Sequence, residues 1–194
     1  ITIRKHHLPH RFPEEALAQA KDVPLEIPTA EIGRRKDYRA LPIVTIDGET
    51  ARDFDDAVYV ERLPNGNWRL DVHIADVSHY VRPGSAIDKE ALFRGTSVYF
   101  PDRAVPMLPL ELSTGICSLR PNEDRLVMSA ELEIDNAGDV VSQSFTRGII
   151  RSAARMTYTS VHRILEGDEA ERKVYAHLVR SEERRVGKEC RSRW

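Results

Sequence analysis

Four aspartates lie within ten residues of one another, in the segment IVTIDGETARDFDDAV at positions 43–58. They are Asp47, Asp53, Asp55 and Asp56. Two carboxylates about 5 Å apart repel by roughly 1 kcal/mol in water and by about 3 kcal/mol at an effective dielectric constant near 20. A fold that gathers these groups therefore needs a bound cation, raised carboxyl pKa values, or both.

Apolar segments on both sides of the aspartates predict that they sit in an ordered fold. Residues 41–46 (LPIVTI) form an apolar, β-branched run typical of a buried strand, and residues 57–60 (AVYV) predict a second strand. Asp47-Gly48 is a turn signal. We therefore expect the acids at the point where a strand passes into a loop.

The ligand chemistry of the cluster favours a divalent cation. Carboxylate oxygens suit a hard ion, Mg²⁺ or Mn²⁺, better than zinc. An EF-hand is excluded, because a loop that starts at Asp47 has Arg52 where glycine is needed and Val58 where a bidentate glutamate is needed. A solvated acidic turn is the alternative that the residues alone leave open.

A predicted hairpin brings one further carboxylate toward the acids. Residues 68–74 alternate between apolar and polar, and Asn65-Gly66 before them is a strong signal for a two-residue turn. If that turn forms, Asp55 faces Asp76 across the two strands. Asp76 is therefore expected at the edge of the metal site.

The remaining patterns predict an α+β fold with a hairpin-rich, mixed or antiparallel sheet and helices packed outside it. A second hairpin joins residues 126–134 to residues 140–145. Helices are predicted at three places: 14–21, 88–94 with Asp88 as the N-cap and Gly95 as the stop, and a third capped by Thr159 or Ser160 that ends at Gly167.

Residues 41–166 resemble the N-terminal part of the RNB catalytic domain found in the ribonuclease II and ribonuclease R exoribonucleases, most closely the bacterial ribonuclease R branch. Five motifs in the same order carry this resemblance: IDGETARDFDDAV, HIADVSHYV (73–81), RGTSVYFPDRAVPMLP (94–109), GICSL (115–119) and ARMTYTSVHRIL (154–165). The resemblance implies hydrolysis of single-stranded RNA from its 3′ end to nucleoside 5′-monophosphates, with Mg²⁺.

The same resemblance implies a role for each candidate residue. Asp47 and Asp56 would bind Mg²⁺ directly, and Asp53 would assist through water or a second ion. Asp55 would be the acid whose loss abolishes cleavage. Tyr99 would stack on the terminal RNA bases. Without the resemblance, the composition of the sequence favours an ordinary core aromatic at this position.

Two other functions stay open from the sequence. A relative could keep the scaffold and bind RNA without cleaving it, and the four intact acids weigh against that hypothesis. A metal-dependent phosphohydrolase could act on small nucleotides, but an aromatic at Tyr99 favours a polymer with stacked bases. The processive exoribonuclease is the function that the sequence favours.

The resemblance also predicts how the chain is divided. Residues 1–40 would be the end of an upstream cold-shock-like OB domain with its linker, and residues 41–179 would be the first part of the RNB domain. Residues 180–194 (RSEERRVGKECRSRW) resemble a translated sequencing adapter, so we expect a foreign tail there. A basic tail that binds nucleic acid is the alternative.

Composition bounds what this segment can do by itself. Leaving out the six basic and three acidic residues of that tail changes the net charge from −2 to −5, and it leaves Cys117 as the one cysteine. An acidic segment lacks the basic patch that RNA binding needs. We therefore expect the basic channel walls in parts outside this segment: the later half of the catalytic domain and a C-terminal OB-fold RNA-binding domain.

Two further expectations concern solubility and location. Apolar faces meant for the other half of the domain would be exposed, so the segment is expected to aggregate or to form a molten state when isolated. The sequence shows neither a signal peptide nor a transmembrane run, which favours a cytoplasmic protein without membrane contact.

Overall fold

The computed structural model describes residues 5–6, 8–24, 26–100 and 103–175. The fold is α+β, as the sequence predicts, with a seven-stranded mixed sheet, a separate two-stranded ribbon and short helices. Within the described residues, no helix has the length and apolar character that crossing a bilayer requires. The tail predicted at 180–194 lies outside the described residues.

The helices are α1 (Glu14–Lys21), α2 (Thr29–Ile32), α3 (Val77–Tyr80), α4 (Ala86–Arg94), a π-helical segment (Glu111–Ile116), α5 (Tyr158–Glu166) and α6 (Glu169–Val174). The strands are β1 (Lys36–Asp37), β2 (Val44–Asp47), β3 (Asp56–Arg62), β4 (Trp68–Ala75), β5 (Val98–Tyr99), β6 (Ala104–Val105), β7 (Asp124–Ile134), β8 (Val140–Arg151) and β9 (Ala154–Thr157).

The large sheet has the strand order β1-β8-β7-β4-β3-β2-β9. Its five inner strands pair antiparallel, while β1 with β8 and β2 with β9 are parallel pairs at the two edges. One face of the sheet packs against α1, α4 and the π-helical segment to form the core. The core includes Ala16, Ala57, Ile87, Leu112 and Val127.

Strand β1 is fixed by a close approach between Tyr38 and the sheet. A Cβ atom on Gly148 would lie 2.6 Å from the Tyr38 ring, so only glycine allows the ring to lie there. Tyr38 is 2% exposed, and its hydroxyl bonds the Thr146 hydroxyl at 2.8 Å. The sheet therefore begins before residue 41, where the start of the catalytic domain is predicted, and that boundary stays a prediction.

The opposite face of the sheet carries exposed apolar side chains. Ile74, Met128 and Phe145 are 47%, 41% and 69% exposed, and all three belong to central strands. Groups of exposed apolar residues of this kind mark surfaces that another element covers. They agree with the expectation of uncovered apolar faces, and aggregation of the isolated segment stays a prediction.

The predicted register of the first hairpin is wrong by one residue. Asp56 pairs with Ile74, and the turn has three residues, Pro64-Asn65-Gly66, since the Leu63 N–H donates to the Asn67 carbonyl at 2.8 Å. Proline suits the first turn position and Gly66 takes the left-handed one at φ 87°. The extra turn residue shifts the partners, so Asp55 does not face Asp76.

Two helices begin earlier than predicted and end where predicted. Helix α4 is capped by Ser85, whose hydroxyl accepts the Asp88 N–H at 3.1 Å, so Asp88 lies inside the helix. Helix α5 is capped by Thr157, which accepts the Ser160 N–H at 3.0 Å, so neither Thr159 nor Ser160 is the cap. A capping side chain bonds an N–H three residues ahead, which places the cap upstream of the predicted residues. The predicted ends at Gly95 and Gly167 are confirmed.

Candidate active site

The four aspartates lie at one end of the strands of the large sheet, where β2 passes into β3. Asp47 is the last residue of β2 and Asp56 is the first residue of β3, and the connecting loop carries Asp53 and Asp55. The two strands are antiparallel neighbours. Because the two strands run in opposite directions, the last residue of β2 and the first residue of β3 lie at the same end of the strand pair. The expected position of the acids, between strand and loop, is confirmed.

Asp47 has the properties of an unsatisfied ligand. Its Oδ2 atom is buried and has no hydrogen-bond partner. Burial raises the pKa of this carboxyl, and the negative charges of Asp56 and Asp53 raise it further, while the Thr45 hydroxyl and the charge of Arg155 act to lower it. A buried carboxylate oxygen without a donor is costly unless a cation neutralises it. The Asp47 environment therefore fits a bound metal ion.

Asp55 is coupled to the same charges. Partial burial of its carboxyl raises its pKa, and the charges of Asp53 and Asp56 add to that effect. Each ionised carboxylate therefore makes ionisation of its neighbours more costly, and a divalent cation removes this repulsion. The donors are all oxygen atoms, as Mg²⁺ and Mn²⁺ prefer.

The acids do not form a finished metal cage by themselves. Across the described part of the chain, no three His, Cys, Asp or Glu side chains converge closely enough to hold an ion. Mg²⁺ usually keeps several waters and takes one or two protein carboxylates together with substrate phosphate oxygens. The arrangement therefore fits an ion whose coordination is completed by water and substrate.

Tyr99 lies beside the acids, from the short ribbon of β5 and β6. Its hydroxyl donates to Asp53 Oδ2 at 3.0 Å, and the residue is 67% exposed. Partial burial of the hydroxyl raises its pKa, and the Asp53 hydrogen bond adds to the shift. The core-aromatic alternative for Tyr99 is therefore wrong. An exposed aromatic residue tied to the acid cluster can accept a stacked base.

Asp76 has different partners from those its predicted position implied. Its Oδ2 accepts a hydrogen bond from Arg35 Nη2 at 2.7 Å, and its Oδ1 accepts one from the Ser78 hydroxyl at 2.6 Å. Asp76 and Arg35 are both buried. Asp76 therefore forms a buried ion pair with the segment before β1, and its predicted place at the metal site rested on the incorrect register.

Two residues near the acids escaped the sequence analysis. Arg155 on β9 donates from Nη2 to the carbonyls of Gly48 and Glu49, at 2.5 and 2.9 Å, and its charge acts to lower the Asp47 pKa. Tyr158 is 66% exposed and directly follows Thr157, the residue that pairs with Asp47. The parallel pairing of β9 with β2 brings both residues close, and no local pattern predicts that pairing.

The family profile of the RNB domain matches residues 35–188. The chain belongs to the RNB family. This match confirms the resemblance that the five motifs carry. Membership among these ribonucleases implies a nuclease that depends on a divalent metal, which agrees with a cluster of acids that offers only oxygen ligands. The match extends into the segment predicted to be a foreign tail, and the start of that tail stays a prediction.

Ribonuclease R of Vibrio cholerae is 53% identical to this chain over 179 residues, which cover 92% of this chain and 22% of that protein. Solved structures of Mycoplasma genitalium ribonuclease R, one with double-stranded RNA and one with ribose-methylated single-stranded RNA, match with TM-scores of 0.80 and 34% identity. They cover 84% of this chain and 29% and 26% of those chains. The chain therefore spans about a fifth of the length of its curated relatives.

Proposed function

We propose that the protein containing this segment is a processive 3′-to-5′ exoribonuclease that hydrolyses single-stranded RNA to nucleoside 5′-monophosphates. The observation that carries the proposal is the hydrogen bond from Tyr99 to Asp53, which joins an exposed aromatic to the acid cluster in an RNB-family chain. Stacking on an aromatic ring tolerates any base. An enzyme that removes nucleotides one after another needs that tolerance.

Each acid has a proposed task in this reaction. Asp47 and Asp56 hold a Mg²⁺ ion, or Mn²⁺ in its place, and Asp53 assists through water while it fixes Tyr99. Asp55 is the acid on which cleavage depends. When bound, the metal polarises the scissile phosphate, lowers the pKa of the attacking water and offsets charge on the leaving 3′ oxygen. The unsatisfied Asp47 Oδ2 atom supports this assignment.

The proposed partner is the 3′ end of single-stranded RNA. The solved structures of Mycoplasma genitalium ribonuclease R are complexes with double-stranded RNA and with ribose-methylated single-stranded RNA, which supports this choice. The segment itself has a net charge of −2. We therefore assign the basic channel walls to the later half of the catalytic domain and to a C-terminal OB-fold RNA-binding domain. Salt dependence of RNA binding would come mainly from those parts.

A cytoplasmic location belongs to the same proposal. Cys117 is a buried free thiol, and such a residue suits a reducing compartment. Fractionation of cells that express the full-length protein from its own gene checks this point. Recovery in the soluble cytoplasmic fraction is expected, and recovery with the envelope contradicts it.

The test is digestion of a 5′-labelled single-stranded RNA by the full-length protein with Mg²⁺ or with EDTA. We expect nucleoside 5′-monophosphates and a short labelled end product with Mg²⁺, and intact RNA with EDTA. RNA that is retained but uncut would indicate a non-catalytic RNA-binding relative. Faster cleavage of free nucleotides than of RNA would indicate a phosphohydrolase of small nucleotides.

A further inference from the structure

The loop that carries Asp53 and Asp55 is held by one buried hydroxyl from a distant part of the chain. Ser118 Oγ accepts the Phe54 N–H at 3.1 Å and donates to the Arg52 carbonyl at 3.4 Å. One side chain therefore bonds the backbone on both sides of Asp53. Ser118 has no exposed surface, so water does not compete for these bonds.

The neighbouring backbone strengthens this attachment. The Leu119 N–H donates to the Phe54 carbonyl at 2.8 Å, so both backbone polar groups of Phe54 are bonded to residues 118 and 119. The next carbonyl, that of Asp55, accepts the Ala75 N–H from β4 at 2.9 Å. Asp55 is thus fixed between a clamp on its preceding residue and the end of a central strand.

Ser118 is itself held by a buried cation. Arg125 on β7 donates from Nε to the Ser118 carbonyl at 2.7 Å and from Nη1 to the Asp124 carbonyl at 2.9 Å, and it is 7% exposed. The guanidinium also bonds the Glu123 carboxylate. Strand β7 lies between β8 and β4 in the sheet, so this connection ties the acid loop to an inner strand of the fold.

We propose that Ser118 is a positioning residue that sets the metal affinity of the acid cluster by fixing the backbone around Asp53 and Asp55. Free carboxylates that repel one another move apart when their loop is loose, and a loose loop pays an ordering cost when the ion binds. The hydroxyl of Ser118 reduces that cost before the ion arrives. The inference rests on the proposed function only in placing a metal ion at these acids.

The experiment measures Mn²⁺ binding to the full-length protein without RNA, by loss of the free-ion signal in electron paramagnetic resonance. We expect Ser118→Ala to weaken Mn²⁺ binding roughly two- to tenfold, the range that one lost buried hydrogen bond supports. Ser118→Cys, with a weaker hydrogen-bonding group of similar size, is expected to fall between Ser118→Ala and the parent.

The matched control is Ser129→Ala. Ser129 is also buried, and its hydroxyl bonds His73 Nδ1 at 2.8 Å, but it lies within the sheet and does not hold the acid loop. It should lose a comparable stability and keep the parental Mn²⁺ affinity. Equal weakening by both alanine variants, or none by Ser118→Ala, overturns the proposal. If Ser118→Ala does not fold, parental affinity in Ser118→Cys overturns it.

Hydrolysis of RNA by the parent is measured separately. A parent that binds Mn²⁺ and leaves RNA intact would refute the proposed exoribonuclease, while a weakened Ser118→Ala variant would still support the positioning role. A parent that degrades RNA, with Mn²⁺ affinity unchanged in Ser118→Ala, would refute the positioning role alone. The two claims can therefore fail independently.

Discussion

Asp47→Asn should be more stable than the parent protein without metal and less stable than the parent when metal is bound. The Asp47 carboxyl is costly without metal, because its Oδ2 atom is buried without a donor and Asp53 and Asp56 lie close enough to raise its pKa. A group whose pKa is raised on folding contributes stability below its unfolded pKa, and that stability is lost as pH rises through the folded value. At neutral pH, ionised Asp47 therefore destabilises the metal-free fold.

The size of this stability change follows from two costs: that of the unsatisfied Asp47 oxygen in the parent and that of the Asn amide that replaces it. An unsatisfied buried polar atom costs about 1–3 kcal/mol, and the Asn amide would need a partner in the same place. The Thr45 hydroxyl and the positive charge of Arg155 already offset part of the cost of the Asp47 charge. A net gain of about 1 kcal/mol remains for Asp47→Asn in EDTA, which corresponds to roughly 2–4 °C in a domain of 150–250 residues.

With bound metal, the parent should become more stable than Asp47→Asn. At a free metal concentration about 100 times its dissociation constant, the parent gains about 2.7 kcal/mol. Asp47→Asn loses a direct ligand, so it should gain little. Calorimetry of the catalytic-domain transition in the full-length protein, with EDTA and with Mg²⁺, measures both differences at pH 7.

The control substitution is Asp76→Asn. Asp76 is also buried, and burial acts to raise its pKa, but hydrogen bonds from Ser78 and from Arg35, at 2.7 Å, hold that pKa below its ordinary value, so the variant should lose stability in both conditions. A metal-free Asp47→Asn protein that is clearly less stable than the parent, with an unchanged response to Mg²⁺, would refute the account of Asp47.

Three further predictions concern turnover, product length and pH. Asp55→Asn should keep RNA affinity in a filter-binding assay and lose about a hundredfold or more in turnover. Tyr99→Ala should change the length of the final limit product and weaken RNA binding by about 1–3 kcal/mol, while Tyr99→Phe keeps the ring and loses the hydrogen bond to Asp53. The metal concentration for half-maximal activity should rise as pH falls, starting above the ordinary aspartate range, because burial raises the pKa of Asp47 and Asp55.

Each of these predictions has a clear contrary result. Turnover of Asp55→Asn within tenfold of the parent would remove Asp55 from its assigned role. An unchanged product ladder for Tyr99→Ala would count against stacking, whereas a change shared by Tyr99→Phe would assign the effect to the Asp53 hydrogen bond. A metal requirement that stays constant down to pH 4 would show that neither Asp47 nor Asp55 loses its charge in that range.

The local features of this fold were predictable because short-range patterns determine them. The strands beside the acids follow from apolar runs next to Asp47-Gly48. Helices α4 and α5 end at glycines with positive φ, Gly95 and Gly167. The register across the first hairpin was not predictable from Asn65-Gly66 alone, because Pro64 extends the turn to three residues and shifts every pair by one.

The parts of the site that the sequence analysis missed come from distant positions. Arg155 bonds the Gly48 carbonyl across 107 residues of sequence, and Ser118 bonds the Phe54 N–H across 64. Neither contact has a local signature, since a serine in GICSL and an arginine in ARMTYTS are ordinary residues until the sheet order is known. The acids could be predicted because they are adjacent in sequence, and the residues that hold them could not.

The central claim is that the acid cluster holds a divalent ion that assists the hydrolysis of RNA by water. The most direct test is anomalous diffraction from crystals of the full-length protein grown with Mn²⁺ and an uncleavable single-stranded RNA. We predict an anomalous peak about 2 Å from carboxylate oxygens of Asp47 and Asp56, with the 3′-terminal base against Tyr99. A metal peak elsewhere, or RNA that ends away from these aspartates, would contradict the account.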